Sequence, residues 1–403
     1  MVKIADKELF NEAKRYIPGG VNSPVRSFKT VGGSPVFIKK AKGSKIYSED
    51  GRVFIDYCLS WGALIFGHGY PDVVRGIKKA ASNGVSFGAA TKLESEFAKL
   101  ITAAMPSIEQ LRLTNSGTEA VMAAIRLARA YAKRDKIVRF QNSYHGHADY
   151  LLNCEGVPED FKRHTLTAPY NDIKKTKDLL IRHGKDIAAI IVEPVTGNAG
   201  VIPPEKGFLQ SLKKLSDRFG IVLIFDEVIT GFRLSYSGAQ GHFNVKPDLT
   251  CLGKIIGGGL PVGAFGGRKE IMKLLAPIGP VYQAGTFSGN PITVTAGIVT
   301  LNELKRLSPY EELSRRTERL SSAIRLKAED YGVRLKVNNV GSMFSVSFSD
   351  SGLFKRFFHC LLSLGIYFSP SESETDFLSA AHSDDDINST LIAVDEVFKN
   401  LRG

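Results

Sequence analysis

Apolar runs alternate with amphipathic stretches through the middle of the chain. "DIAAIIVEPV" (186–195), "IVLIFDEV" (221–228) and "DLTCLGK" (248–254) have apolar residues on both strand faces, as buried strands do. "KGFLQSLKKLSDRFG" has the 3.6-residue period of a helix, "KIVRF" predicts a strand, and "LRLTNSGTEAVMAAIRLARAYAKRD" predicts a strand, a polar turn and a helix. The pattern indicates an α/β fold: a mostly parallel sheet with helices on both sides.

The two ends of the chain show other patterns. The first sixty residues predict a helix, a glycine-proline loop and a hairpin, "KIYSEDGRVFIDYC", turning at Asp50-Gly51. From Pro291 to Tyr331 charged helices are predicted, then two strands, a helix, and a last helix capped by Ser383. We therefore expect an N-terminal segment (1–60) joining the small domain, a large domain (61–300) and a C-terminal small α+β domain (301–403).

Composition narrows the class of protein. With 403 residues, 43% hydrophobic and 23% charged, the chain is expected to be globular, with no apolar run near the ~20 residues of a membrane helix. The N-terminus lacks the apolar core of a signal peptide, which favours a cytoplasmic location. Four widely spaced cysteines predict neither disulfides nor a metal site. The net charge of +12 is scattered and suits a small anionic substrate; no nucleic-acid recognition motif accompanies it.

Lys254 and Asp226 are the first candidates for chemistry. Asp226 ends one buried strand and Lys254 follows the next, so both should face the crevice where ligands bind in open parallel sheets. A desolvated lysine becomes a nucleophile toward carbonyls, and a buried acid can keep a pyridine nitrogen protonated. This pair suits pyridoxal 5'-phosphate (PLP). The alternative is a strand-end acid and a surface lysine in a glycine loop.

Three polar loops carry further candidates. "TNSGTEA" joins a strand to a helix, and its backbone N–H groups and hydroxyls suit a phosphate; the alternative is an ordinary helix cap. Tyr144 in "SYHGHADY" could stack on a planar cofactor, or belong to a polar loop. Thr286 in "QAGTFSGNP" is a second phosphate candidate, or part of a helix-entry loop.

Together these segments resemble the class III PLP-dependent aminotransferases of fold type I. The likeness rests on the phosphate turn, Tyr-His-Gly, Glu-Pro, "DEVITGFR" and "GKIIGGGLPVGA" in that order. It implies that Lys254 binds the cofactor covalently and that Asp226 pairs with its ring nitrogen. It also implies a homodimer in which Thr286 reaches the neighbouring subunit's phosphate. The other implied cofactor contacts are Ser116, Gly117 and Thr118 at the phosphate, Tyr144 on the ring and Asn198 near the phenolic oxygen.

"GGVNSPVRSF", "GPVYQAGTFSGNP" and "AHSDDDIN" are similar to the aminomutase branch of this family. The resemblance implies conversion of glutamate 1-semialdehyde to 5-aminolevulinate for porphyrin synthesis, starting from the pyridoxamine 5'-phosphate form of the cofactor. It also implies glutamyl-tRNA reductase as a possible partner. Arg26 and Ser23 would bind the substrate carboxylate, Trp61 would line the pocket and Glu374 would face the amino side.

One segment departs from that branch. The chain runs from Asp149 through "YLLNCEGVPEDFKRHTLTAPYND" with little room for the branch's long glycine-rich gate. A short lid predicts leakage of the reaction intermediate, or another substrate. The alternative of another substrate is an aminotransferase for β- or ω-amino acids with a 2-oxo acid acceptor. Two separate alternatives are a PLP-binding regulator and a nicotinamide oxidoreductase, for which a G-x-G-x-x-G motif is lacking.

Overall fold

The computed structural model describes residues 4–401, and the chain forms two compact units. Unit 1 comprises the chain up to Tyr70, Asn198–Val201 and the chain from Glu311 onward. Unit 2 comprises Pro71–Gly197 and Ile202–Tyr310. Among the helices of residues 4–401, none is both long enough and apolar enough to cross a bilayer.

The strands form three sheets. The bounds are β1 (Ile38–Lys42), β2 (Lys45–Ser48), β3 (Val53–Asp56), β4 (Gln110–Thr114), β5 (Lys136–Phe140), β6 (Thr165–Ala168), β7 (Ile187–Val192), β8 (Val222–Glu227), β9 (Leu249–Gly253), β10 (Gly263–Gly267), β11 (Leu335–Val340), β12 (Met343–Phe348), β13 (Ile366–Tyr367) and β14 (Asp376–Phe377). The largest sheet has the order β4-β10-β9-β8-β7-β5-β6, and only β10 runs antiparallel to its neighbours. The predicted, mostly parallel sheet is confirmed.

The helices include those predicted from the sequence. They are α1 (Ile4–Tyr16), α2 (Leu59–Gly62), α3 (Pro71–Ala81), α4 (Lys92–Ala104), α5 (Gly117–Ala132), α6 (Glu159–Arg163), α7 (Ile173–His183), α8 (Phe208–Phe219), α9 (Gly238–His242), α10 (Lys269–Met272), α11 (Pro291–Leu307), α12 (Tyr310–Asp330), α13 (Ser351–Ser363) and α14 (Asp384–Leu401). Short 3₁₀ helices occupy Pro18–Gly20, Pro24–Ser27, Asp149–Leu151 and Lys254–Gly257.

Strands β7 and β8 are fully buried, because helices cover both faces of the unit 2 sheet. One hydrophobic cluster joins α5 to alternate residues of these strands, such as Ala189 and Ile224. A second cluster joins α8 to the residues between them, such as Ile190 and Phe225. Successive side chains of a strand point to opposite faces, and both faces are covered here, so these strands consist largely of apolar residues.

Unit 1 contains the two smaller sheets, β1-β2-β3-β13 and β11-β12-β14. The predicted hairpin is confirmed: β2 pairs antiparallel with β3, and Gly51 in the turn has φ +83°. The predicted cap of the last helix is also present, because the Asp386 N–H donates to Oγ of Ser383 at 3.1 Å. These elements give unit 1 the α+β character expected of the C-terminal part.

Candidate active site

Five candidate segments follow the carboxyl ends of strands in the unit 2 sheet. They follow β4, β5, β7, β8 and β9, which run parallel and so end at one edge. Asp226 on β8 is in register with Cys251 on β9, and Lys254 comes just after β9 ends. Asp226 and Lys254 therefore lie at the ends of neighbouring strands.

The carboxylate of Asp226 is held by hydrogen bonds at both oxygens. Its Oδ2 lies 2.7 Å from Nδ1 of His145, and its Oδ1 accepts the N–H of Val228 at 3.1 Å. Asp226 is 5% exposed and His145 2%, so the pair is shielded from water. His145 Nε2 is buried and has no hydrogen-bond partner within residues 4–401. A buried imidazole of this kind fixes the carboxylate and supports its negative charge.

Glu193, directly after β7, is a buried acid for which no separate role was predicted. Its Oε1 accepts the N–H of Tyr144 and its Oε2 accepts the N–H of Gly197, each at 2.9 Å. Burial raises the pKa of Glu193, an effect partly opposed by the charge of His145. Glu193 therefore ties the loop after β5 to the loop after β7, and fixes the backbone at Tyr144. The Tyr144 ring itself is 49% exposed.

Lys254 is half-buried and occupies an unusual backbone conformation, with φ +47°. A left-handed conformation in a residue other than glycine costs about 1–3 kcal/mol and often marks a functional site. The glycines after it are needed for close packing, because a Cβ at Gly258 would lie 2.6 Å from Oγ1 of Thr300. The sequence is therefore specialised for placing this lysine at the strand end.

The N-terminus of α5 forms a narrow cradle. Ser116 caps the helix, since its Oγ accepts the N–H of Glu119 at 3.2 Å. Ser116 is therefore an ordinary helix cap. This does not exclude anion binding at the same place, because the Ser116 hydroxyl can still donate a hydrogen bond. A Cβ at Gly146 would lie 2.5 Å from Oγ1 of Thr118, and one at Gly117 would lie 2.9 Å from Val228. First-turn N–H groups without helical acceptors favour an anion here.

Thr286 is exposed and lies on a cavity of about 420 Å³ in unit 2. Residues 86–91, Glu94 and the loop from Gly285 to Pro291 line this cavity. Asn290 caps α11, because its Oδ1 accepts the N–H of Thr293 at 3.0 Å. The loop therefore has the geometry of a helix entry, and the phosphate role of Thr286 stays a prediction.

The remaining candidate residues, Ser23, Arg26, Trp61, Asn198 and Glu374, belong to unit 1. Ser23 and Arg26 lie at the 3₁₀ helix Pro24–Ser27, and Arg26 is exposed. The short segment that begins at Asn198 lies beside the loop of Glu374, because the Gly200 N–H donates to the Ser373 carbonyl at 2.6 Å.

Comparisons with known proteins agree with this geometry. The family profile described as Aminotransferase class-III matches residues 28–382. The chain is 50% identical to "Glutamate-1-semialdehyde 2,1-aminomutase 2" of Geobacillus kaustophilus, over 98% of each chain. It is 51% identical to "Glutamate-1-semialdehyde 2,1-aminomutase" of Thermodesulfovibrio yellowstonii, over 98% of this chain and 99% of the other. A solved ω-transaminase from Sphaerobacter thermophilus matches with a TM-score of 0.92 and 32% identity, over 99% and 98%. The chain belongs to the class III aminotransferase family.

Proposed function

We propose that this protein is a PLP-dependent aminomutase that converts glutamate 1-semialdehyde to 5-aminolevulinate, the intramolecular amino transfer that feeds porphyrin biosynthesis. The observation that carries the proposal is the identity of about one half, over nearly the whole length, to two relatives named for this activity. The strand-end geometry around Asp226 and Lys254 supplies the groups that such chemistry requires.

The donor groups of unit 2 fit PLP or its pyridoxamine form. Buried Asp226 suits a protonated ring nitrogen, because burial strengthens the attraction between opposite charges. The cradle of Ser116, Gly117 and Thr118 suits the phosphate, because it lies at the N-terminus of α5, where two hydroxyls and first-turn N–H groups can donate to an anion. Lys254 is the amine for the cofactor's aldehyde carbon. Tyr144 is assigned to the ring and Asn198 to the phenolic oxygen.

The bound cofactor supplies an electron sink that stabilises a carbanion next to the transferred nitrogen. Within the chain, Lys254 acts as the general acid and base, and carries protons to and from the carbon atoms that exchange the amine. Asp226 keeps the ring nitrogen protonated. His145 holds the Asp226 carboxylate in place through the bond at 2.7 Å.

The substrate residues are assigned to unit 1. The Arg26 guanidinium presents a planar fork that suits a carboxylate, and the Ser23 hydroxyl assists it. Trp61 provides an apolar wall, and Glu374 faces the amino end of the substrate. An anionic small molecule also suits a chain of net charge +12.

The segment after Asp149 is shorter than the resemblance to the aminomutase branch leads us to expect. The alignment of the whole chain with the Geobacillus relative covers 423 positions, more than the 403 residues of this chain, so that relative contains residues with no counterpart here. After Asp149–Leu151 comes only the short helix α6 before β6 begins at Thr165. We expect the free diamine intermediate to escape more often than from a relative with a longer segment.

We propose that the protein assembles as a homodimer. A homodimer is supported by the exposed apolar residues Tyr282 (72%) and Phe287 (60%) on either side of Thr286, whose assigned role is at the neighbouring subunit's phosphate. We also propose a cytoplasmic location and, from the resemblance to the aminomutase branch, a partnership with glutamyl-tRNA reductase, which makes the labile aldehyde.

The test is whether turnover requires a separate amino donor or acceptor. Purified holoenzyme is given glutamate 1-semialdehyde with and without a 2-oxo acid, and 5-aminolevulinate is measured. An aminomutase needs no second substrate. Turnover of β- or ω-amino acids that depends on pyruvate or 2-oxoglutarate would instead establish the aminotransferase function, for which the ω-transaminase likeness is the supporting observation.

A further inference from the structure

Trp61 lies in a turn of unusual backbone shape in unit 1. Leu59, Ser60 and Trp61 have φ values of +46°, +55° and +61°, and Gly62 follows with +88°. Left-handed conformations of L-residues are unfavourable and normally occur singly, so three in succession require support from their surroundings. Leu59 is buried and Ser60 is exposed, so hydrophobic burial alone does not explain the shape.

The support comes from Asp56 at the end of β3. Its Oδ1 accepts the N–H of Cys58 at 2.9 Å and the N–H of Leu59 at 3.2 Å. Its Oδ2 lies 2.7 Å from Nε2 of His68. The Asp56 side chain is 4% exposed, so few waters can replace these bonds. One carboxylate thus fixes the entry to the turn and is itself fixed by an imidazole.

His68 is held independently of the turn. Its backbone pairs with Gly43 in both directions, at 2.7 and 2.8 Å. Gly67 before it has φ +80°, and a Cβ there would lie 2.6 Å from both the Gly43 carbonyl oxygen and Cβ of Ala381. The imidazole therefore approaches Asp56 from a rigid backbone.

The far end of the turn is packed against an aromatic ring. A Cβ at Gly62 would lie 2.7 Å from Cζ of Phe377, so only glycine fits here. Phe377 is 1% exposed, and its N–H donates to the Tyr57 carbonyl at 2.7 Å. The turn that contains Trp61 is thus held at its entry by the Asp56 carboxylate and packed at its exit against this ring.

We infer that Asp56, oriented by His68, is a positioning residue that sets the left-handed turn and thereby the placement of the Trp61 indole. The inference rests on the proposed function only where it assigns Trp61 to the substrate pocket. Its consequence for the reaction is that losing the clamp weakens substrate binding while unit 2 keeps its cofactor groups.

Intrinsic fluorescence reports on Trp61 directly, because it is the single tryptophan of the chain. Emission and acrylamide quenching are compared in holoenzyme for wild type, Asp56→Ala, Asp56→Asn and His68→Ala. Asp350→Ala is the matched control, since Asp350 also accepts a backbone N–H (Gly352, 2.8 Å) in unit 1 but lies far along the chain from the turn. Substrate KM, kcat and cofactor affinity are measured on the same samples.

We expect Asp56→Ala to move Trp61 emission to longer wavelength and increase its quenching. KM should rise about tenfold, with a smaller change in kcat and an unchanged cofactor affinity. Asp56→Asn keeps an oxygen that can accept the two N–H groups, so its Trp61 emission and its KM should stay close to those of wild type. His68→Ala should give a smaller shift of the same sign, and it decides the matter if Asp56→Ala does not fold.

Unchanged emission and KM in Asp56→Ala, or a shift equally large in Asp350→Ala, would overturn the inference. Failure of the proposed function is distinguishable from failure of this inference, because the emission shift is measured without substrate. If wild type makes no 5-aminolevulinate but its Trp61 emission depends on Asp56, the proposed activity is wrong and the role of Asp56 in the turn still holds.

Discussion

Nδ1 of His145 lies 2.7 Å from Oδ2 of Asp226, and both side chains are almost completely buried at the carboxyl edge of the unit 2 sheet. A buried carboxylate needs hydrogen-bond partners, because burial removes the water that would otherwise solvate it. The imidazole supplies such a partner and fixes the orientation of the carboxylate. The imidazole is therefore as much a part of the proposed chemistry as the carboxylate itself.

Removing this imidazole should weaken catalysis without destroying it. We expect His145→Ala to lower kcat/KM about 10- to 100-fold, because a hydrogen bond to a charged group contributes about 1.5–3 kcal/mol. His145→Asn carries an N–H near the Nδ1 position and should recover part of the loss. His164→Ala, an exposed histidine in the same unit, is the control. Equal rates for His145→Ala and the control would contradict the assignment.

Lys254 should be indispensable. We expect Lys254→Ala to retain cofactor by non-covalent contacts, lose the absorption of the lysine-bound cofactor, and lose about 10³-fold or more in turnover, because general acid–base catalysis is removed. Absorption spectra and steady-state rates check this. Lys273→Ala, an exposed lysine in the same unit, should behave as wild type. A Lys254→Ala protein with wild-type colour and rate would exclude this lysine.

The phosphate cradle can be tested with two glycines of matched backbone. Gly146 and Gly156 have φ values of +84° and +85°, but only at Gly146 would a Cβ meet a neighbour, Oγ1 of Thr118 at 2.5 Å. We expect Gly146→Ala to weaken cofactor binding about tenfold or more, because the overlap displaces the cradle. Gly156→Ala should only have the cost of placing alanine at a positive φ, and should leave cofactor affinity near the wild-type value. Equilibrium titration with PLP separates them, and equal affinities would count against a phosphate site.

Asp376 predicts a dependence of stability on pH. Burial raises the pKa of this carboxyl from 3.8 to about 8, and the charges of Asp56 and Glu374 add to the effect. The folded protein therefore binds this proton more tightly than the unfolded chain does, so its contribution to stability falls as pH rises from about 4 to about 8. The Ser369 N–H donates to its Oδ1 at 2.7 Å.

Asp376→Asn keeps that acceptor and removes the charge. At pH 4 its urea midpoint should be close to that of wild type. At pH 8.5 the variant should be more stable by about 1 kcal/mol or more, because each pKa unit corresponds to about 1.4 kcal/mol. Comparing the two proteins at the same pH cancels the contributions of the other titrating groups. A stability difference that is the same at both pH values would show that folding does not raise the pKa of Asp376.

Much of the fold could be predicted because each central strand is a run of apolar residues bounded by glycine or charge. Strand β10 was not predicted, since "GAFGG" has too few β-branched residues to signal a strand. Its glycines are required by close packing: a Cβ at Gly266 would lie 2.6 Å from the carbonyl oxygen of Gln110.

The residue pairs that hold the site together could not be predicted from the spacing of residues along the sequence. His145 and Asp226 are 81 residues apart, and the link depends on the order of the strands between them. The Asp56 clamp is local in sequence, but the left-handed turn that it supports uses leucine, serine and tryptophan. No propensity predicts positive φ for these residues, because tertiary contacts impose it.

The aminomutase assignment is tested most directly by following 5-aminolevulinate through many turnovers when glutamate 1-semialdehyde is the only substrate added to the holoenzyme. We expect sustained product formation by wild type and almost none by Lys254→Ala. Formation that stops after about one equivalent per active site, and resumes only with an added amino donor or 2-oxo acid, would contradict the aminomutase assignment.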